Sequence, residues 1–259
     1  MPSPIRAIVY DAGFTLLRPT ASVAELCVQV LQRRGHSVEA AVVQAAMPAF
    51  EPFLERFQAD GELAFASDSK TTALWHAYYR ATLAGGASHL SEDEIAACAV
   101  EVTDLYGLPD YWETYPEVAP TLREGWRRGL VQGVVSDWGT PLISILHGLG
   151  LSDLLDFVVV SALAGAAKPN SYLFDLAVQR AGVAREEILY VGDTYRSDIL
   201  GGRGAGLHSV LIDRSGALSS IDCPVIHRLD QILDLAVSPP DEGDRLFYSH
   251  DRSPRIGSD

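Results

Sequence analysis

The feature that most constrains the fold of this chain is an alternation. Short apolar runs at 130–135, 157–160, 188–191 and 208–212 are interleaved with helix-patterned stretches at 118–128, 140–149, 171–181 and 198–205. Strands separated by helices cannot close as hairpins, so they cross over and lie parallel, with the helices covering the sheet. The runs at 157–160 and 188–191 are apolar at every position, as in strands buried on both faces. A fifth run, 5–10, stands alone more than a hundred residues ahead of the next.

That gap has a different texture. Residues 20–112 hold four helix-like segments and no convincing strand. The segment 22–34 stops at Gly35, and 39–59 is apolar on one face with interruptions at Pro48 and Pro52. The segment 68–83 places Leu74, Trp75, Tyr78 and Tyr79 at helical spacing, a pattern of packing rather than of a substrate platform. Ser91-Glu92-Asp93-Glu94 is a capping box that opens a helix running to about 106. The expected architecture is therefore α/β: a Rossmann-like parallel sheet with helices on both faces, built from 1–18 and 114–237. An α-helical cap at 19–113 is inserted through hinges near 17–20 and 111–116. The charged, Pro/Gly/Ser-rich stretch 238–259 lacks periodic apolar residues and reads as a flexible tail.

A net charge of -14 repels polyanions, which argues against nucleic acid and anionic membranes as partners. A phosphorylated substrate would need local cations. Cys27, Cys98 and Cys223 show no Cys-x-x-Cys spacing and read as free thiols in a reducing compartment. No apolar stretch reaches bilayer-spanning length, and Met1-Pro2-Ser3-Pro4 does not look like a signal sequence, so a cytoplasmic location is expected. The seven histidines show no metal-ligand spacing.

The candidate chemistry gathers at strand ends. Asp11 closes the first run, and open α/β sheets place their ligands at the carboxyl ends of strands. Asp193 and Asp198 follow the run at 188–191, on the same edge of a parallel sheet. Three carboxylates brought together repel one another unless a cation lies among them, and hard oxygen ligands suit Mg²⁺. The plainer reading, Asp193 as a helix cap and Asp198 as a solvated charge, does not use the edge they share with Asp11. Lys168 is one of only two lysines among twenty basic residues, the other being Lys70. Its compact ammonium lies just before a helix, where a positive charge opposes the dipole. Ser136 ends the second run beside Asp137; a hydroxyl there can bind phosphate oxygens or simply cap a helix.

Taken in order, Asp11, Ser136, Lys168 and Asp193/Asp198 resemble the four motifs of the haloacid dehalogenase superfamily, across about residues 5–215. The resemblance implies Asp11 as nucleophile and Mg²⁺ ligand, with the Gly13 carbonyl, Asp193 and Asp198 completing the metal site. It further implies that Ser136 and Lys168, beside Asp137, hold the transferring group of a small phosphorylated metabolite. Lys168 would screen Asp11 from the incoming anion, and Thr15 would brace the loop. The superfamily's phosphatases open Asp-x-Asp-x-Thr, whereas this chain reads Asp11-Ala12-Gly13-Phe14-Thr15. The missing carboxylate protonates the leaving group and later activates water, a contribution of about 10²–10⁴-fold.

Three readings follow. One is a Mg²⁺-dependent phosphoester hydrolase that is slow or uses a substitute acid, for which Asp137 is the nearest candidate. Another is carbon–halogen hydrolysis, which needs no proton for its leaving group; the family's dehalogenases also lack the second Asp but work without metal. A third is a binding protein with little turnover. Phosphonate cleavage would need a cap lysine, and Lys70 reads instead as a solvated residue at a helix start. In the first reading the cap closes over the site and excludes water.

Overall fold

The structure, a computed structural model, describes residues 4–58, 64–218 and 221–236. In chain order the strands are β1 (Ala7–Tyr10), β2 (Leu17–Pro19), β3 (Trp112–Thr114), β4 (Val131–Ser136), β5 (Phe157–Val160), β6 (Ile188–Gly192), β7 (His208–Ile212) and β8 (Val225–Ile226). Six of them form one sheet in the order β5-β4-β1-β6-β7-β8, with every neighbouring pair parallel. β1 lies in the middle, and its last residue, Tyr10, pairs with Val134 on one side and Val191 on the other. Its side chains divide by the two-residue strand period: Ile8 and Tyr10 enter one hydrophobic layer, Ala7 and Val9 the opposite one. The strand order turns about β1, which sets the sheet's crevice at that strand's carboxyl end.

Helices α1 (Val23–Arg33), α2 (Ala40–Ala46), α3 (Phe50–Gln58), α4 (Asp68–Gly86) and α5 (Glu92–Tyr106) lie between β2 and β3. They pack a core of their own around Leu26, Val30, Tyr79, Leu83, Ala99 and Val102. The capping box expected at Ser91 is formed with Glu94, and a second one joins Ser22 to Glu25 at the head of α1. The stretch expected as one helix at 39–59 is two, parted around Pro48, which cannot donate a helical hydrogen bond. Trp75 is stacked on Phe50 at 5.2 Å and on Tyr79 at 5.8 Å, so this stripe is packing. A Cβ on Gly86 would come within 2.9 Å of the Val43 backbone, so glycine there is what lets α2 and α4 touch.

The remaining helices cover the sheet: α6 (Val118–Arg127), α7 (Pro141–Gly148), α8 (Ser161–Ala164), α9 (Ser171–Ala181), α10 (Gly201–Gly204) and α11 (Ile232–Leu235). The helix expected at 198–205 begins as a π-helical turn, Tyr195–Leu200, before α10. No described helix is long and apolar enough to cross a membrane. The stretch 238–259, expected as a tail, lies outside the described residues.

Two features tie the helical insertion to the sheet. The chain leaves and returns along β2 and β3, which pair antiparallel from Leu17↔Thr114 to Pro19↔Trp112 and make a short neck. At the far side Asp68, the first residue of α4, accepts from the Thr140 amide at 2.7 Å and the Thr140 hydroxyl at 2.9 Å. Thr140 precedes α7 without capping it through its own side chain, so a carboxylate from the insertion satisfies that N-terminus instead. Gly139 permits this approach, since a Cβ there would lie 2.9 Å from the Asp68 carboxylate. Loss of a helix cap costs about 0.5–2 kcal/mol. Asp68→Ala should therefore speed amide exchange in the first turn of α7 and loosen the insertion; exchange at wild-type rates would contradict the contact.

Candidate active site

Asp11 continues β1 by one residue, its amide donating to the Val191 carbonyl of β6 at 2.8 Å. This pins the residue at the crevice, where its side chain is buried. Among the described residues, both hydrogen bonds that its carboxylate accepts fall on Oδ1, from the Ser136 hydroxyl at 3.0 Å and the Lys168 ammonium at 2.7 Å. Ser136 is the last residue of β4, next to β1, which explains how two positions 125 residues apart meet. The serine thus orients the acid.

Lys168 is the hub. Its ammonium donates to Asp11 Oδ1 at 2.7 Å, to Asp198 Oδ1 at 2.6 Å and to the Tyr190 hydroxyl at 3.3 Å. Burial works against the charge, but Asp11 and Asp198 together outweigh it and hold the lysine's pKa well above the ordinary range. Its backbone amide donates to Asp137 Oδ1 at 2.9 Å. Asp137 therefore anchors the loop that carries the lysine. Burial pushes its carboxyl up to about 7, despite the opposing pull of Lys168.

Asp198 occupies the π-helical turn after β6 and is 1% exposed. Its two oxygens are engaged: Oδ1 with Lys168 and the Tyr190 hydroxyl at 2.9 Å, Oδ2 with the Thr194 amide at 2.9 Å. A Cβ on Gly192 would collide with this carboxylate, so glycine at the end of β6 is what admits it. Asp193 is placed differently. Its side chain accepts only a long hydrogen bond, 3.4 Å, from the Thr194 hydroxyl among the described residues. Burial, with the charges of Asp11 and Asp198 adding to it, pushes its carboxyl up to about 7. Burial likewise raises Asp11, with Lys168 opposing and Asp198 reinforcing the rise. Among the described residues no group of three or more His, Cys, Asp or Glu side chains converges on one metal position. Among the described residues Asp11 Oδ2 accepts no hydrogen bond, and the Asp193 carboxylate is only weakly engaged. The Asp11 charge adds to the rise in Asp193's proton affinity, and two carboxylates so related suit a hard divalent ion.

The loop after Asp11 is tight. The Ala12 carbonyl accepts from Leu16 and Leu17, each at 2.9 Å, and the Phe14 amide donates to the Leu17 carbonyl at 2.7 Å. Phe14 takes a φ of 53°, a left-handed backbone that an aromatic residue rarely adopts. Thr15, expected to brace this loop, is fully buried, yet its hydroxyl has no hydrogen-bond partner. The Phe14 and Thr15 carbonyls accept from Arg214, which nothing in the sequence marks because an isolated arginine after a strand carries no motif. Trp138 is equally unmarked. A Cβ at Gly13 would sit 3.3 Å from its indole, which packs edge-on against Trp112 at 4.7 Å. Gly13 thus faces an aromatic wall.

A protein-family model described as haloacid dehalogenase-like hydrolase matches residues 5–206. Haloacid dehalogenase-like hydrolase domain-containing protein 3 of Danio rerio is 29% identical over 236 residues, 90% of this chain and 95% of that protein. Pyrimidine 5'-nucleotidase YjjG of Escherichia coli (strain K12) is 36% identical over 109 residues, 39% of this chain and 48% of that protein. Among solved structures, L-2-haloacid dehalogenase from Xanthobacter autotrophicus with chloropropionic acid covalently bound superposes with a TM-score of 0.63 at 19% identity. The match covers 89% of this chain and 98% of that one.

Two predictions follow from the geometry. Removing one partner of a buried ion pair costs about 3–5 kcal/mol, because the other charge is left unpaired. Lys168→Met should destabilise the fold on that scale, and adding Asp198→Asn should recover part of the loss in a double-mutant cycle. Strict additivity in chemical denaturation would refute the coupling. For Asp137, whose carboxyl stands at about 7 in the fold, the ordinary value in an unfolded chain is about 3.9. Between those values the folded protein holds a proton that the unfolded chain releases, so stability falls as pH rises through the window. Asp137→Asn should flatten that fall in denaturant unfolding without divalent ions; an unchanged slope would contradict the burial argument.

Proposed function

The chain belongs to the haloacid dehalogenase-like hydrolases, and on that premise we propose that it hydrolyses small phosphorylated metabolites through an aspartyl-phosphate intermediate, with Asp11 as nucleophile. The observation that carries this reading is the division of labour around Asp11. Its Oδ1 is fixed by Ser136 and Lys168, which leaves Oδ2 without a hydrogen bond among the described residues. Mg²⁺ would be held by Asp11, the Gly13 carbonyl and Asp193, and when bound it would neutralise charge on the transferring phosphoryl group. Asp198 serves instead to hold Lys168, a narrower role than the metal ligation its motif position implies.

In the first step the Asp11 carboxylate attacks phosphorus. The Asp11–phosphoryl bond forms as the bond to the leaving oxygen breaks, and that oxygen departs with the electron pair. Ser136 and Lys168 orient the nucleophile, and the Lys168 ammonium offers positive charge beside the transferring group. Water then cleaves the acyl phosphate and restores Asp11. Gly13 brings no acid to either step, and the Trp138 ring beside it is apolar. The helical insertion would act as the cap, seated by Asp68 on Thr140 and excluding water. Pyrimidine 5'-nucleotidase YjjG, similar over about half its own length, makes a nucleoside monophosphate one reasonable member of a substrate screen.

Halide displacement is the second reading. It is favoured by Gly13, because halide leaves without a proton, and by the likeness in fold to a 2-haloacid dehalogenase. The Asp11–Asp193 pair, which calls for a cation, weighs against it. A non-catalytic binding role is opposed by the same pair, because a protein freed from turnover gains nothing from a carboxylate whose charge raises a neighbour's proton affinity at a strand edge.

The reading predicts Mg²⁺-dependent turnover of p-nitrophenyl phosphate that Asp11→Asn abolishes. Without a general acid, alkyl phosphates should lag behind aryl phosphates of low leaving-group pKa by about 10²–10⁴-fold beyond the intrinsic difference. No Asp11-dependent cleavage of any phosphoester would overturn it, and metal-independent halide release from 2-haloacids would establish the second reading in its place.

A further inference from the structure

The loop that carries the proposed nucleophile is gripped from outside its own motif. Arg214 follows β7, on the far side of β6 from β1. Its guanidinium reaches back across some two hundred residues of sequence to that loop: Nε donates to the Phe14 carbonyl at 3.0 Å and Nη2 to the Thr15 carbonyl at 2.6 Å. Nη1 donates to Glu117 Oε1 at 2.6 Å, and the same oxygen accepts from the Leu229 amide at 3.3 Å. The plane of the group lies over the Tyr115 ring at 3.4 Å, with Arg18 near the same ring at 5.2 Å. Phe14 and Thr15 stand just before β2, and Tyr115 stands just after β3. One side chain therefore holds both strands of the neck at the point where they join the sheet.

From this geometry we propose that Arg214 is a positioning residue for the nucleophile turn, acting on Asp11 and the Gly13 carbonyl through the Phe14 and Thr15 carbonyls. The claim that it serves catalysis rests on the hydrolase reading above; the claim that it holds the turn does not. Three observations support it. Phe14 is in a left-handed conformation that persists only where its surroundings fix it, and Arg214 binds its carbonyl while Leu17 binds its amide. The Thr15 hydroxyl has no partner, so the turn lacks the internal brace its motif would supply. Arg214 is itself held firmly: the neighbouring Asp213 carboxylate accepts from the amides of Ser215, Gly216 and Leu218 at 3.1, 2.9 and 2.8 Å, fixing the turn that presents the guanidinium. Only a planar fork can reach two adjacent carbonyls and a carboxylate while lying flat on a ring; a lysine ammonium cannot.

The plainer account is that Arg214 is an ion-pair partner of buried Glu117 and matters only for stability. Hydrogen exchange of the metal-free protein separates the two, with Arg214→Met, Arg214→Lys and Glu117→Gln compared against wild type and amides of β4 as internal reference. Positioning predicts that both Arg214 variants speed exchange at 12–17 at least tenfold, while Glu117→Gln leaves those amides within a few-fold of wild type. If Arg214→Met does not fold, Arg214→Lys, which keeps the charge and loses the fork, carries the test. Wild-type exchange at 12–17 in the Arg214 variants would overturn the proposal. So would equal loosening by Glu117→Gln, since the ion pair would then be what matters. In turnover of p-nitrophenyl phosphate, kcat should fall ten- to a hundredfold with KM little changed; a fall that appears in KM alone would remove the link to catalysis. If wild type cleaves no phosphoester, the hydrolase reading fails while the exchange data still decide whether Arg214 holds the turn.

Discussion

A buried ammonium between two buried carboxylates organises this molecule. Lys168 lies within 2.7 Å of Asp11 and 2.6 Å of Asp198, with all three side chains almost wholly withdrawn from solvent. A charge in such a place is tolerated only when paired and hydrogen-bonded, so each member depends on the others' positions. Those positions come from three different parts of the sheet edge. β1 delivers Asp11, the π-helical turn after β6 delivers Asp198, and the loop ahead of α9, anchored by Asp137, delivers the lysine. The Tyr190 hydroxyl and the glycine at 192 complete the fit, one by bonding Asp198 and the other by leaving room for it.

The same arrangement explains why Asp193 differs from Asp198 although five residues and one motif join them. Asp198 has a cation of its own in Lys168. Asp193 has none among the described residues, and burial together with its carboxylate neighbours drives its proton affinity up. The strand edge thus contains one satisfied acid and one that calls for a partner. In the proposed chemistry that partner is Mg²⁺, and the lysine keeps the nucleophile's other oxygen occupied and oriented. The neck forms the second structural link. Through Arg214 and Tyr115 the turn bearing Gly13 and both strands leading to the helical insertion meet one group, so the loop beside Asp11 and the base of the insertion share an anchor.

Much of this was legible in the amino-acid order. Five of the six sheet strands were visible as apolar runs, and Phe157–Val160 and His208–Ile212 match to the residue. Helices with a capping residue, such as α5, could be placed from the Ser91–Glu94 spacing. The three-residue strands of the neck could not. Arg18, Pro19 and Glu113 show no alternation, and their pairing exists only because the insertion brings its own ends together. β8, two residues long, was equally silent. The break at 48 was signalled by proline, whereas the π-helical turn at Tyr195–Leu200 left no mark, since its register serves the placement of Asp198 rather than any local preference.

For the site, the sequence by itself determined which polar residues gather at the sheet edge and in what order: Asp11, Ser136, Asp193 and Asp198 at a strand end or just after one, and Lys168 in the loop ahead of α9. It also determined that Gly13 supplies no acid. Only the tertiary structure decided how those charges are shared, because pairing depends on distances of a few ångströms between segments far apart in sequence. It assigned Lys168 to Asp11 and Asp198 together, left Asp193 without a cation among the described residues, and set Trp138 against Gly13 and Arg214 against the turn after Asp11. Periodicity reports which face of an element is buried, and it carries no information about which polar atom meets which across a folded sheet edge.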